Sequence, residues 1–157
     1  MTRIKGQRAV IELDLRIVDP AWSETIPDLA AICETALNAG AAQMSVSGEV
    51  SVLLTGNDNI QTLNKDWRGK DKPTDVLSFP SDPMDHPFLG DIALAFGVTQ
   101  MDAKDRALDL AQHLSHLLIH GLLHLLGHDH KDDTEAAEME SLEIAALASL
   151  GWPDPYR

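Results

Sequence analysis

Six of the seven histidines fall in the run His113-Leu-Ser-His116-Leu-Leu-Ile-His120-Gly-Leu-Leu-His124-Leu-Leu-Gly127-His128-Asp129-His130. Imidazole nitrogen suits zinc and its transition-metal neighbours. On a helix, residues four apart share a face, so His116, His120 and His124 form one row. Two of them can grip one ion, each ring nitrogen at about 2.0–2.1 Å. Three in a row cannot, because eight residues rise about 12 Å along the axis. The third ligand must come from beyond the helix. Gly127 supplies the exit, since glycine readily takes the left-handed backbone that turns a chain back at a helix end. That return brings His130 towards His120 and His124. Three neutral imidazoles leave a fourth tetrahedral position free for water, as catalytic zinc sites require.

A lone histidine would read as a core residue bonded to a carbonyl, but burying this many polar rings without a purpose is costly. His116 is left over, as a support for a ligand ring, a proton carrier or a core residue. His113 and His128 read as structural or exposed. Asp129 either orients a ligand histidine, whose second N–H usually meets a carboxylate or carbonyl, or caps the turn. The spacing also matches the zinc-peptidase pattern H-E-x-x-H-x-x-G-x-x-H. Here Gly121 stands where those enzymes carry their glutamate, so a peptidase would lack the group that deprotonates water.

The surrounding chain must hold these residues in place. Ile11, Leu13, Leu15 and Ile17 alternate with Glu12, Asp14 and Arg16, the pattern of a half-buried strand. Leu29, Ile32, Cys33, Ala36 and Leu37 repeat at helical spacing between Pro27 and Gly40, which read as start and stop. Val50 to Leu54 reads as a buried strand. Asn57 caps and Gly69 closes a short helix carrying Ile60, Leu63 and Trp67. Val76 to Phe79 and Ile92 to Phe96 are further strands, and the prolines between Pro80 and Leu89 mark a loop. Ala107 to Leu126 is leucine-rich nearly all round, which predicts a core helix. Asp132 and Glu135 form a capping-box pattern for a last helix with apolar Ala136, Met139, Leu142, Ala146 and Leu150, stopped by Gly151 and Pro153. The expected fold is α+β. A single domain over residues 1–157 would hold a mixed four-stranded sheet covered by helices, with the histidine helix buried at its centre.

Composition narrows the partners. The 157 residues carry 25 Asp and Glu against 12 Lys and Arg, a net charge of -13. That charge repels polyanions at long range and counts against a nucleic-acid partner unless basic groups cluster locally. Lys65, Arg68, Lys70 and Lys72 make one mildly basic stretch. The single cysteine, Cys33, excludes an internal disulfide, suits a reducing compartment and lies on an apolar helix stripe. Residues 1–7 are polar and basic and lack the apolar core of a signal peptide. No apolar run is long enough to span a membrane. The expected location is the cytoplasm.

The segment His120-Gly-Leu-Leu-His124-Leu-Leu-Gly127-His128-Asp129-His130 resembles the H-G-x-L-H-L-x-G-x-D-H signature of the YbeY family, bacterial rRNA maturation factors regarded as metal-dependent single-strand endoribonucleases. Leu63-Asn64-Lys65-Asp66-Trp67-Arg68 with Thr74-Asp75-Val76-Leu77-Ser78-Phe79-Pro80 is similar to its second conserved block. Gly90-Asp91-Ile92 and the ending Gly151-Trp-Pro-Asp-Pro-Tyr156 are similar too. The likeness covers most of the chain and departs at His128, where an aromatic is frequent, and Trp152, where Phe is frequent. It implies that His120, His124 and His130 hold one zinc ion per chain and that Arg68 is the family's functional arginine. It also implies single-stranded ribosomal RNA as substrate, with a role in 16S rRNA 3′-end maturation and ribosome quality control, and neither DNA nor membrane as a partner. A guanidinium suits such chemistry because it stays ionised and offers a planar fork to phosphoryl oxygens. Asp129, His116 and Asp91 are candidates for proton transfer, and the residues do not choose among them. Two rival readings use the same ligands. A ribosome-assembly factor with a structural metal would dock its acidic surface on small-subunit proteins or assembly factors. The other rival is a zinc hydrolase of a different class.

Overall fold

Runs rich in Val, Ile and Leu favour the pleated, half-buried surface of a sheet, and four of them pair in the computed structural model, which describes residues 10–157. β1 (Ile11–Ile17), β2 (Gly48–Thr55), β3 (Val76–Pro80) and β4 (Phe88–Ala95) lie in the order β1-β2-β4-β3. β1, β2 and β4 run parallel, and β3 returns antiparallel to β4. The helices are α1 (Ala21–Thr25), α2 (Leu29–Met44), α3 (Asn57–Arg68), α4 (Phe96–Asp105), α5 (Leu110–Leu125) and α6 (Asp133–Ser149). The fold is α+β with a mixed four-stranded sheet, as expected. The basic opening stretch, residues 1–7, lies outside the described residues. No helix among the described residues is long and apolar enough to cross a membrane.

The larger core lies between one sheet face and α2, α5 and α6. Leu114, Leu118, Ile119, Leu122 and Leu123 of α5 are fully buried there. Each such side chain contributes roughly 1.5–3 kcal/mol relative to exposure, so the histidine helix is firmly anchored. Two glycines let its neighbours come close. A Cβ at Gly121 would stand 3.1 Å from Ile92 Cγ2, and one at Gly40 would stand 3.1 Å from Leu122 Cδ2. The Ser78 hydroxyl donates to the Gly121 carbonyl at 3.3 Å. Position 121 therefore faces the sheet, and a glutamate there would collide with it.

The other sheet face is only partly covered. Ile60 of α3 packs on Leu77, Ala93 and Ala95, with Leu53, Leu63 and Phe79 around them. Glu12, Asp14 and Arg16 of β1 stay exposed on the uncovered part.

Several boundaries differ from the sequence expectations, for physical reasons. Gly40 does not stop α2; it sits inside the helix at the α5 crossing, and Ser45 ends the helix with φ 53°. Asn57 does not cap α3. Gly56 holds that position, and Asn57 Oδ1 accepts the Val98 N–H at 3.0 Å, capping α4 from a distance. The central helix starts at Leu110, after Asp109 takes the Ala111 N–H at 2.9 Å, and Ala107 has φ 54°. Phe96 opens α4 instead of closing β4. The Pro80 to Leu89 loop is shorter than expected and contains a 3-10 turn at Pro83–Asp85. The last helix does carry its capping bond, from the Glu135 N–H to Asp132 Oδ1 at 2.8 Å.

Candidate metal centre

His120 and His124 are one helical turn apart on α5, and their Nε2 atoms lie 3.0 Å apart. After them the helix ends in a double-bonded reversal. The His128 N–H donates to the Leu123 carbonyl at 2.9 Å, and the Gly127 N–H donates to the His124 carbonyl at 3.1 Å. Gly127 has φ 96°, the left-handed geometry this motif requires. The reversal returns His130, so that ligating atoms of His120, His124 and His130 all lie within 4.8 Å of one another. The two helical rings are half-buried and His130 is exposed.

The hydrogen bonds fix which nitrogen faces inward. His124 Nδ1 is 2.9 Å from the His128 carbonyl oxygen, which can only accept, so Nδ1 carries the proton. His120 Nδ1 lies 3.1 Å from Glu143 Oε1. Burial alone would raise the Glu143 carboxyl, but hydrogen bonds from His116 and His120 hold it down to about 2. It is therefore a carboxylate, and His120 Nδ1 donates to it. Both Nε2 lone pairs then face each other bare. A proton is a poor guest between them, because burial and the neighbouring His120 lower the basicity of His124. A divalent cation fits: the donor set is three imidazole nitrogens, and the outer nitrogens of the two helical rings are anchored as ligand histidines usually are.

Glu143 and Tyr156 escaped the sequence reading. Glu143 is fully buried on α6. His116 Nε2 donates to its Oε1 at 3.0 Å, and the Tyr156 hydroxyl lies 2.8 Å from Oε2. Burial and this carboxylate push the tyrosine well above its ordinary range, so it stays a donor. The signal was present: Glu143 interrupts the apolar stripe of Met139, Ala146 and Leu147. Glu143→Gln should weaken divalent-metal binding about 10- to 100-fold with little change of fold, as for other supports of ligand histidines. Competition with a chromophoric chelator measures this, and an affinity within twofold of the parent would remove the carboxylate from the site.

The other candidates fall in different places. Arg68 ends α3 and borders, with Trp67, Ser78 and the three histidines, a cleft of about 850 Å³. Its guanidinium makes no hydrogen bond or ion pair with the described residues. The buried Asn64 amide donates to the Lys72 carbonyl at 2.9 Å and fastens the loop beyond Arg68. Asp129 lines the same cleft, where its Oδ1 accepts the His130 N–H at 2.8 Å and shapes the turn. That bond holds its carboxyl below the usual range. His116 lies behind the cluster and meets Glu143, not the metal position. Asp91 is on the opposite sheet face, away from the histidines, where partial burial and Asp14 raise its carboxyl. His113 is buried with neither ring nitrogen partnered among the described residues, and His128 is half-buried.

Comparison with known proteins places this geometry in a family. Residues 14–151 match the family described as Endoribonuclease YbeY. A relative of that name from Paramagnetospirillum magneticum is 48% identical over 93% of this chain and 96% of its own. One from Rhodopseudomonas palustris is 46% identical, covering 91% of this chain and 90% of its own. The solution structure of a Thermotoga maritima protein shares the fold with a TM-score of 0.55 and 24% identity, over 90% of this chain and 92% of its own. Matched along nearly its whole length at this identity, the chain belongs to the YbeY endoribonuclease family.

Proposed function

We propose that this protein is a single-strand-specific endoribonuclease that works with one zinc ion per chain held by His120, His124 and His130. Its substrate is ribosomal RNA in the cytoplasm, with roles in 16S rRNA 3′-end maturation and ribosome quality control. The observation that carries the reading is the convergence of three ligating nitrogens in an open cleft lined also by the Arg68 guanidinium, which has no partner among the described residues. The relatives' shared name supplies the reaction class.

A divalent cation bound there supplies Lewis acidity towards a phosphoryl oxygen and towards water. The chain's own residues do the rest. Arg68 receives the charge that gathers on the phosphoryl oxygens and needs no partner broken to do so. Glu143, His116 and Tyr156 keep the His120 ring turned with Nε2 inward, and the His128 carbonyl does the same for His124. Of the three candidates for proton transfer, Asp129 alone lines the cleft, so it is the one assigned to handle the substrate's proton. The acidic surface, 25 carboxylates against 12 basic groups, suits docking on basic small-subunit proteins or assembly factors.

Metal analysis of the purified protein, with cleavage of labelled single-stranded and duplex RNA before and after chelation, tests the reading. One zinc per chain, loss of single-strand cleavage on chelation and recovery with zinc are expected. Undiminished cleavage by the chelated protein would overturn the metal's role. A metal-replete protein that cleaves no RNA would instead have a structural ion.

A further inference from the structure

The exposed part of the second sheet face is a groove that joins the histidine cleft, and neither the metal nor Arg68 explains it. Its cavity is about 390 Å³. Trp67 and Phe79 line both spaces and form the ridge between them. Trp67 is 72% exposed, unusual for so large an apolar ring, and stands edge-on to Phe79 with centroids 6.2 Å apart. Strand register builds the floor: Phe79, Asp91, Ser51 and Asp14 form one row across β3, β4, β2 and β1. The next row on the same face brings Arg16, Leu53 and Ala93. Three strand spacings separate Phe79 from β1, about 14 Å.

Arg68 stands on the cleft side of the ridge, Asp91 with apolar Leu53, Leu63 and Ala93 occupies the middle, and β1 at the far side carries Asp14 and Arg16 two residues apart on the same face. Like Arg68, Arg16 has no ion pair among the described residues. A polynucleotide phosphate would be repelled from the middle by Asp91 and drawn to Arg68, and at the far strand to Arg16 against the opposing charge of Asp14. A nucleobase fits beside the ridge, where its ring has the exposed face of Trp67 and its amino groups have the Asp91 carboxylate as acceptor.

We propose that Trp67 is a stacking platform for a nucleobase next to the cleaved bond, and that the groove beyond it carries the RNA strand on towards Arg16. The inference rests on the RNA-cleaving reading above and adds its means of selecting single strands. A base paired in a duplex has both faces stacked and cannot lie on the indole, whereas an unpaired base can, whatever its identity.

The test compares the metal-loaded full chain with Trp67→Ala, Trp67→Phe and Arg16→Ala on a fluorescein-labelled single-stranded RNA, on the same strand with one abasic residue beside the cleavage position, and on its duplex. Base-to-aromatic stacking predicts that Trp67→Ala raises KM about tenfold with kcat held, and that phenylalanine restores most of the loss. The abasic substrate should cost the parent the same tenfold and cost Trp67→Ala nothing further. Arg16→Ala should weaken anisotropy-measured binding and lower the salt slope by about one counterion. Equal KM for parent and Trp67→Ala, or a fall confined to kcat, overturns the platform. Anisotropy separates the two readings: a parent that binds single strands through Trp67 yet never cleaves them would sink the nuclease and leave the platform standing.

Discussion

His124→Ala protein is expected to emerge from purification without its divalent ion and to cleave single-stranded RNA at least about a thousandfold more slowly, since a metal ion contributes several kcal/mol of charge stabilisation to such reactions. The substitution removes one of two nitrogens fixed 3.0 Å apart on a buried helix. What remains is His120 and an exposed His130, a pair without the helical chelate. The fold should survive, because His124 is only half-buried and the His128 carbonyl it releases can turn to water. Elemental analysis, a cleavage time course and thermal unfolding read the three quantities separately. A variant that keeps one ion per chain and its full rate would show that the cluster is not the reactive site.

Arg68 gives the second large effect and the cleaner one. Loss of a single group that stabilises developing negative charge typically costs about 10²–10³ in kcat, and Arg68→Ala should fall in that range. Arg68→Lys keeps the charge but loses the planar fork, so it should recover only part of the rate. Among the described residues the guanidinium has no hydrogen bond or ion pair to lose, so neither variant should shift the unfolding midpoint or the bound metal. Single-turnover cleavage alongside calorimetry checks both halves. A drop in stability matching the drop in rate would make Arg68 a structural residue.

The histidine cluster was legible because helical spacing and a glycine stop are local rules. His120 and His124 follow from the i, i+4 repeat, and His130 follows from Gly127, whose φ of 96° closes the reversal. The buried helix was legible from its leucines for the same reason. What escaped depends on contacts between distant segments. Glu143 reaches His120 from α6, and Tyr156 of the closing turn reaches Glu143, separations that no periodicity encodes. Helix α4 buries only Thr99 and Ala103 and is capped by Asn57, 41 positions earlier, so its own sequence shows little stripe. Gly40 misled because a glycine that permits close helix crossing looks the same in sequence as one that ends a helix. Asp91 lines the groove on the other sheet face, a placement its neighbours in the chain do not reveal.

The three clustered histidines, which would hold the ion, are not held alike. Two ride on the most deeply anchored helix of the protein, while the third stands on a solvent-facing reversal with 59% of its side chain exposed. An incoming ion therefore meets a ready-made claw and recruits the last arm afterwards, and a departing ion needs only that arm to swing away. Residence of the metal should accordingly be governed by the motion of a few residues after Gly127, with the rest of the protein staying still during the exchange.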